Sequence, residues 1–248
     1  MKRGAEVIRT EWHDTVLCVT IDRPERRNAL DADALEGLIV ATTEATSGGA
    51  RVLVLTGAEG HFCAGADLSG VEDPAFVQRL NEVLEGLRSA AFPTIAAVNG
   101  AALGAGTQLA VACDLRVATP TATFGIPAAR LGLMVDGWTV QRLVSMAGQG
   151  TARAMLLAAE TFSGADAHRT GFVQRLGDLP DALEWAAAVA ELAPLTIAGH
   201  KIGCNEAESL VATSDTYRAA WSEAWASRDL AEGLRAFSER RPPNFAGE

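Results

Sequence analysis

The sequence predicts an α/β protein, and three observations carry that prediction. Short β-branched, apolar runs at 16–22 (VLCVTID), 51–56 (RVLVLT) and 94–98 (TIAAV) each stop at Pro, Gly or the turn pair Asn99-Gly100, the pattern of buried strands. Amphipathic stretches of helical period separate them. Strands and helices therefore alternate through the N-terminal half, as an α/β core requires.

Each element has its own signal. Asp31 is placed to cap a helix whose apolar face is Leu35, Leu38 and Ile39 and which ends at Gly48-Gly49. Asp73-Pro74 opens a second helix carrying Phe76, Val77, Leu80, Leu84 and Leu87. After about residue 150, alanine-rich amphipathic segments at 152–159, 164–170, 181–192, 195–212, 215–226 and 229–239 predict a helical C-terminal third, punctuated by Pro180 and Pro194. The expected organisation is a core domain over 1–193 and a C-terminal helical region over 194–248. Trp221 and Trp225, spaced i,i+4, put two indoles on one helix face. A subunit interface is the favoured reading of that pair and core packing the alternative, because so small a helical appendage has little core of its own.

Composition narrows the function classes. With 48% hydrophobic and 21% charged residues, the 248-residue chain has the makings of a packed core. A formal net charge of -10 has the wrong sign for a duplex binder, so nucleic acid is not expected as a partner. No run approaches the ~20 apolar residues of a membrane helix, and no charged region followed by an apolar core opens the chain; a cytoplasmic protein without a membrane partner is expected. Cys18, Cys63, Cys113 and Cys204 are widely spaced, without zinc-ligand spacing, and read as reduced thiols with no metal. A nucleophile-elbow motif is also absent.

Chemistry concentrates in three segments. The run Ala97-Val-Asn-Gly-Ala-Ala-Leu-Gly-Ala-Gly-Thr-Gln-Leu-Ala-Val-Ala-Cys-Asp114 reads as strand, tight turn and helix, and the amides opening that helix have no intrahelical partner. Such donors suit a developing oxyanion. It fails as a dinucleotide fingerprint because Leu109 stands where a third glycine is needed. His61-Phe-Cys-Ala-Gly-Ala-Asp-Leu-Ser-Gly70 supplies a second small-residue turn after the second strand, and Arg23-Pro-Glu-Arg-Arg-Asn-Ala-Leu30 follows the first.

Together, in this order, the three segments resemble the enoyl-CoA hydratase/isomerase (crotonase) family. The similarity continues through Leu131-Gly-Leu133, Gln141-Arg-Leu143 and Phe237-Ser-Glu-Arg-Arg241. It implies a spiral of ββα turns with a C-terminal helical trimerisation region, assembled as a trimer or hexamer. It also implies an acyl-CoA thioester ligand in fatty-acyl metabolism, with coenzyme A as part of that ligand and no other cofactor; a carrier would in addition deliver the thioester to a protein partner of that pathway. By the same resemblance, backbone amides at Ala66 and Ala105 hold the thioester oxygen, Ala105 standing where the family usually has glycine. Ala64, Asp67, Leu68 and Ser69 complete the first turn around the ligand. Arg26 and Arg27, with Arg23, form the local cation cluster that coenzyme A phosphates need on an acidic protein. Solvated loop charges are the alternative reading. Arg240 matches a basic position that reaches the coenzyme A of a neighbouring subunit, and Trp221 an aromatic position near it.

The chain departs from the pattern where related hydratases carry two glutamates. Gln108 occupies the first position and Ala128 the second. Gln108 can orient a water but cannot accept a proton at ordinary pH, and Ala128 can do neither. Each missing acid-base group typically removes ~10²- to 10⁴-fold of rate, so weak or absent hydratase turnover is expected. Asp136 is the remaining carboxylate. It matches an aspartate used as base or nucleophile in some branches, and it also stands directly before a helix, where aspartate is a preferred cap. A thioester carrier and an active enzyme using Asp136 both stay open.

Overall fold

A computed structural model describes residues 7–68, 72–208 and 215–245. Strand β1 (Ile8–His13) pairs antiparallel with β2 (Val16–Ile21), which leads through a 3₁₀ turn at Pro24–Arg26 to helix α1 (Ala32–Ser47). Then come β3 (Val52–Gly57), α2 (Pro74–Ser89), β4 (Thr94–Val98), β5 (Ala101–Leu103), α3 (Ala105–Ala112), β6 (Leu115–Ala118) and β7 (Thr123–Gly125). A second 3₁₀ turn at Pro127–Leu131 precedes α4 (Gly137–Leu157), followed by β8 (Thr161–Ser163), α5 (Gly164–Arg169), β9 (Arg175–Leu176) and α6 (Leu179–Ala190). Helices α7 (Pro194–Glu208), α8 (Asp215–Trp225) and α9 (Arg228–Glu239) complete the order.

The larger sheet has the order β1-β2-β3-β4-β6-β9, parallel from β2 onward. A smaller sheet, β5-β7-β8, stands beside it. From β4 in the large sheet the chain crosses to the small one at β5 and returns as α3; β6, β7 and α4 repeat the move, which makes each unit a ββα turn of the spiral. Alternation along β3 shows why its run is apolar throughout: Leu53 and Leu55 face the core shared with α1, α2 and α3, whereas Val52 and Val54 face Ala182 and Ala186 of α6.

Both predicted caps form, with Asp31 accepting from the Ala34 amide at 2.9 Å and Asp73 from the Ala75 amide at 2.9 Å. The C-terminal third is less uniformly helical than its composition suggests. Segment 152–159 begins inside α4, which starts fifteen residues earlier and bends at Gly148 (φ 79°). Strands β8 and β9 also interrupt this region; at three and two residues they are too short to carry a periodic signal, and pairing with β7 and β6 defines them. In segment 195–212, the last four residues lie outside the described residues. No single helix among the described residues is long and apolar enough to cross a membrane.

Candidate functional site

The site starts from two backbone bends. Leu30 donates to Gly65 O (2.8 Å) and accepts from the Asp67 amide (2.7 Å), a parallel bridge centred on Ala66. Because successive groups alternate along an extended chain, that bridge turns the Ala66 N–H away from Leu30. Ala105 opens α3, so its N–H has no intrahelical acceptor. The flanking groups are committed, Gly104 donating to Gly125 O at 2.9 Å and Gln108 donating to Gly104 O at 3.0 Å. Among the described residues, no acceptor receives the Ala66 or the Ala105 amide.

Glycine lets the two bends touch. A methyl group on Gly65 (φ 116°) would lie 3.0 Å from Leu103 O and 4.0 Å from the Ala105 nitrogen. One on Gly106 would lie 2.1 Å from Cys63 O, so only glycine allows α3 this close to the first bend. Ala66 and Ala105, which carry these amides, both line one cavity of about 400 Å³.

Its walls are mostly apolar: Leu68, Phe76 and Leu80 on one side, Ile126, Ala128, Leu133 and Met134 on another, and Trp221, Trp225 and Phe237 from the C-terminal helices. Trp221 and Trp225 stack with ring centroids 5.3 Å apart, and Trp225 Nε1 donates to Met134 O at 2.9 Å. The indole pair expected at a subunit interface therefore covers the cavity of its own chain. The two side chains share a helix face, as their spacing requires, but that face meets the loop before α4.

Among the described lining residues, Asp136 is the one acid and Arg27 the one full cation. Asp136 caps α4: Oδ1 accepts from the Thr139 amide at 2.9 Å, while Oδ2 accepts from the Thr139 hydroxyl at 2.6 Å and from Gln108 Nε2 at 3.2 Å. Gln108 Nε2 also donates to Thr139 Oγ1 at 3.0 Å. Cap and cavity wall are thus the same aspartate. Cys63, just behind the first bend, is no candidate nucleophile, since burial pushes its thiol up to about 12.

The family model for enoyl-CoA hydratase/isomerase matches residues 11–248. The chain belongs to the enoyl-CoA hydratase/isomerase family. It is 43% identical over 235 residues to the probable enoyl-CoA hydratase echA6 of Mycobacterium tuberculosis (strain CDC 1551 / Oshkosh), covering 94% of this chain and 97% of that protein. A solved enoyl-CoA hydratase of Mycobacterium avium subsp. paratuberculosis K-10 is 26% identical with a TM-score of 0.85, covering 97% of this chain and 98% of the other. A methylmalonyl-CoA decarboxylase in complex with 2-nitronate-propionyl-CoA superposes with a TM-score of 0.89 at 22% identity, over 98% and 99% of the two chains. The last likeness concerns the fold alone.

The crotonase fold brings most of the residues singled out in the sequence to one place. Arg27, Ala64, Ala66, Leu68, Ala105, Gln108, Asp136 and Trp221 all line the cavity. Arg26 and Asp67 do not: Arg26 is exposed on the 3₁₀ turn, and Asp67 turns toward Arg23. Arg240 is exposed at the left-handed end of α9, away from the lining. Ser69 lies outside the described residues. Arg23 is not a ligand cation, because its side chain, 13% exposed, donates to Ala29 O and pairs with Asp31 at 2.6 Å and Asp67 at 3.6 Å. It braces the first bend against the start of α1. Thr139 escaped the sequence reading; the spacing Asp136-x-x-Thr139, a cap and its third helical residue, is the signal that points to it.

Proposed function

We propose that this protein binds acyl-CoA thioesters in the cavity and hydrates enoyl-CoA slowly or not at all. One observation carries the reading: two unpartnered amides, on bends in contact with each other, belong to residues lining an apolar cavity in which Asp136 is the one acid among the described lining residues. A thioester oxygen between Ala66 and Ala105 receives two preorganised hydrogen bonds, and the apolar walls take the acyl chain. Arg27, exposed at the cavity wall, is the nearest cation for the coenzyme A phosphates.

Hydration needs a group to activate water and a group to protonate the α-carbon. At Gln108 and Ala128, the positions expected to hold glutamates, there is an amide and a methyl. The family's activity supports turnover and these two residues speak against it; the side chains that do chemistry outweigh the likeness of fold. Titration with butyryl-CoA and crotonyl-CoA, followed by a crotonyl-CoA hydration assay on the same preparation, tests the reading. Saturable binding with turnover at least 10³-fold below a typical enzyme's ~10 s⁻¹ is expected. Turnover of ordinary enzyme size would overturn it.

A second reading has its own observation. Asp136 reaches the cavity with three of about four acceptor positions occupied, which leaves one for a substrate proton. If a slow isomerase or other enolate reaction is found, Asp136→Asn should abolish it while preserving much of the cap; unchanged turnover would exclude a chemical role. We further propose a trimer or dimer of trimers acting in fatty-acyl metabolism, with Arg240 serving the ligand of a neighbouring subunit. Arg240→Glu should then weaken coenzyme A affinity without altering the mass measured by light scattering.

A further inference from the structure

We infer that the cavity selects acyl chains carrying a hydroxyl group close to the thioester over saturated and oxo-substituted chains, an inference that rests on the thioester reading above. The carboxylate of Asp136 only accepts, so the Gln108 atom facing it is the amide nitrogen, and both Gln108 N–H groups are committed, one to Asp136 and one to Thr139. The Thr139 hydroxyl gives its single hydrogen to Asp136. Every hydrogen these three side chains own is therefore used within the cluster.

What remains for a ligand is acceptors: Gln108 Oε1, which receives no described donor, and the last lone-pair position on Asp136. Gln108 follows Ala105 by three residues on the same helix, and both residues line the cavity. That puts the acceptors beside the first few carbons of a chain whose carbonyl sits on the amides. A hydroxyl there donates into the cluster. A keto oxygen meets like partners, and a methylene leaves the acceptors unpaired and desolvated. The replacement at position 108 thus becomes a determinant of ligand choice.

Isothermal titration of the full chain with 3-hydroxybutyryl-CoA, butyryl-CoA and acetoacetyl-CoA tests this directly. The hydroxyacyl thioester should bind about tenfold more tightly than the keto thioester, with the saturated one between them. In Gln108→Met, which keeps the volume and removes the acceptor, the hydroxyl preference should fall to within about twofold while butyryl-CoA still binds. Equal affinity of all three for the unaltered protein would overturn the inference and leave the thioester reading standing. Binding of none would overturn both. A preference that survives in Gln108→Met would overturn the assignment to Gln108 Oε1, and if that variant does not fold, the ranking in the unaltered protein still decides.

Discussion

Backbone amides cannot be deleted by trimming a side chain, so the role of Ala105 has to be tested by removing its hydrogen. Proline is tolerated at the first position of a helix, where the N–H has no intrahelical acceptor. Ala105→Pro should weaken butyryl-CoA binding about tenfold, the size of one lost hydrogen bond plus the crowding of the ring, with the thermal midpoint changed by only a few degrees. Calorimetric titration and a melting curve check both parts; unchanged affinity would remove this amide from the site. At this scale the sequence was most legible where small residues gather, because a turn built from Ala64, Gly65 and Ala66 leaves backbone as the main chemistry available. It was least legible for charges. Arg23, Arg26 and Arg27 look alike as letters, and only the fold separates Arg23, half-buried and held in ion pairs, from Arg27 at the cavity wall. Thr139 was hidden for a related reason, since its hydroxyl gains meaning only from α3 packing beside the start of α4.

Among the elements, the strands and helices with strong periodicity were readable: β2, β3, β4, α1 and α2 start and stop within a residue or two of where apolar runs, caps and breakers put them. Strand β1 was not, because five of its six residues face solvent and no apolar alternation marks an exposed edge. Strands β5 to β9 are two to four residues long and exist through pairing. The C-terminal elements are fastened by polar contacts that periodicity cannot reveal. Lys201 of α7 donates to Leu87 O, Phe92 O and Asp114, reaching across to the end of α2 and to the residue before β6, so one of only two lysines in the chain is an internal fastener. Beyond α9, Arg241 and the Asn244 amide both return to Glu232, which is 11% exposed and also pairs with Arg235. These donors hold the Glu232 carboxyl well below the usual carboxylate range. A depressed folded value stabilises the fold above the unfolded value of ~4.3, and that contribution is lost as pH falls below it. Relative to Glu232→Gln, the unaltered protein should therefore melt higher at pH 7, and the difference should shrink progressively toward pH 3. A difference independent of pH would show that Glu232 acts by packing alone.

For the whole molecule, the fold places chemistry from distant parts of the chain around one cavity. The first bend comes from the loop after β3, the second from the start of α3, the polar cluster from α3 and α4, and the indole cover from α8, each carried there by a rigid element. Class and family were readable because three motifs keep their order between Arg23 and Asp114 and shorter matches continue as far as Arg241. The cavity was not, because its volume depends on side chains up to 210 residues apart, from Arg27 to Phe237. Everything proposed for the ligand depends on where its carbonyl sits. Isotope-edited infrared spectroscopy measures that without reference to turnover: the thioester C=O stretch of butyryl-CoA, labelled with ¹³C at the carbonyl, is compared free and bound. Two amide donors polarise the bond, so the band should move to lower frequency on binding and move back part of the way in Ala105→Pro. A bound thioester whose carbonyl band stays at its solution position, or is indifferent to the loss of the Ala105 amide, would contradict the account.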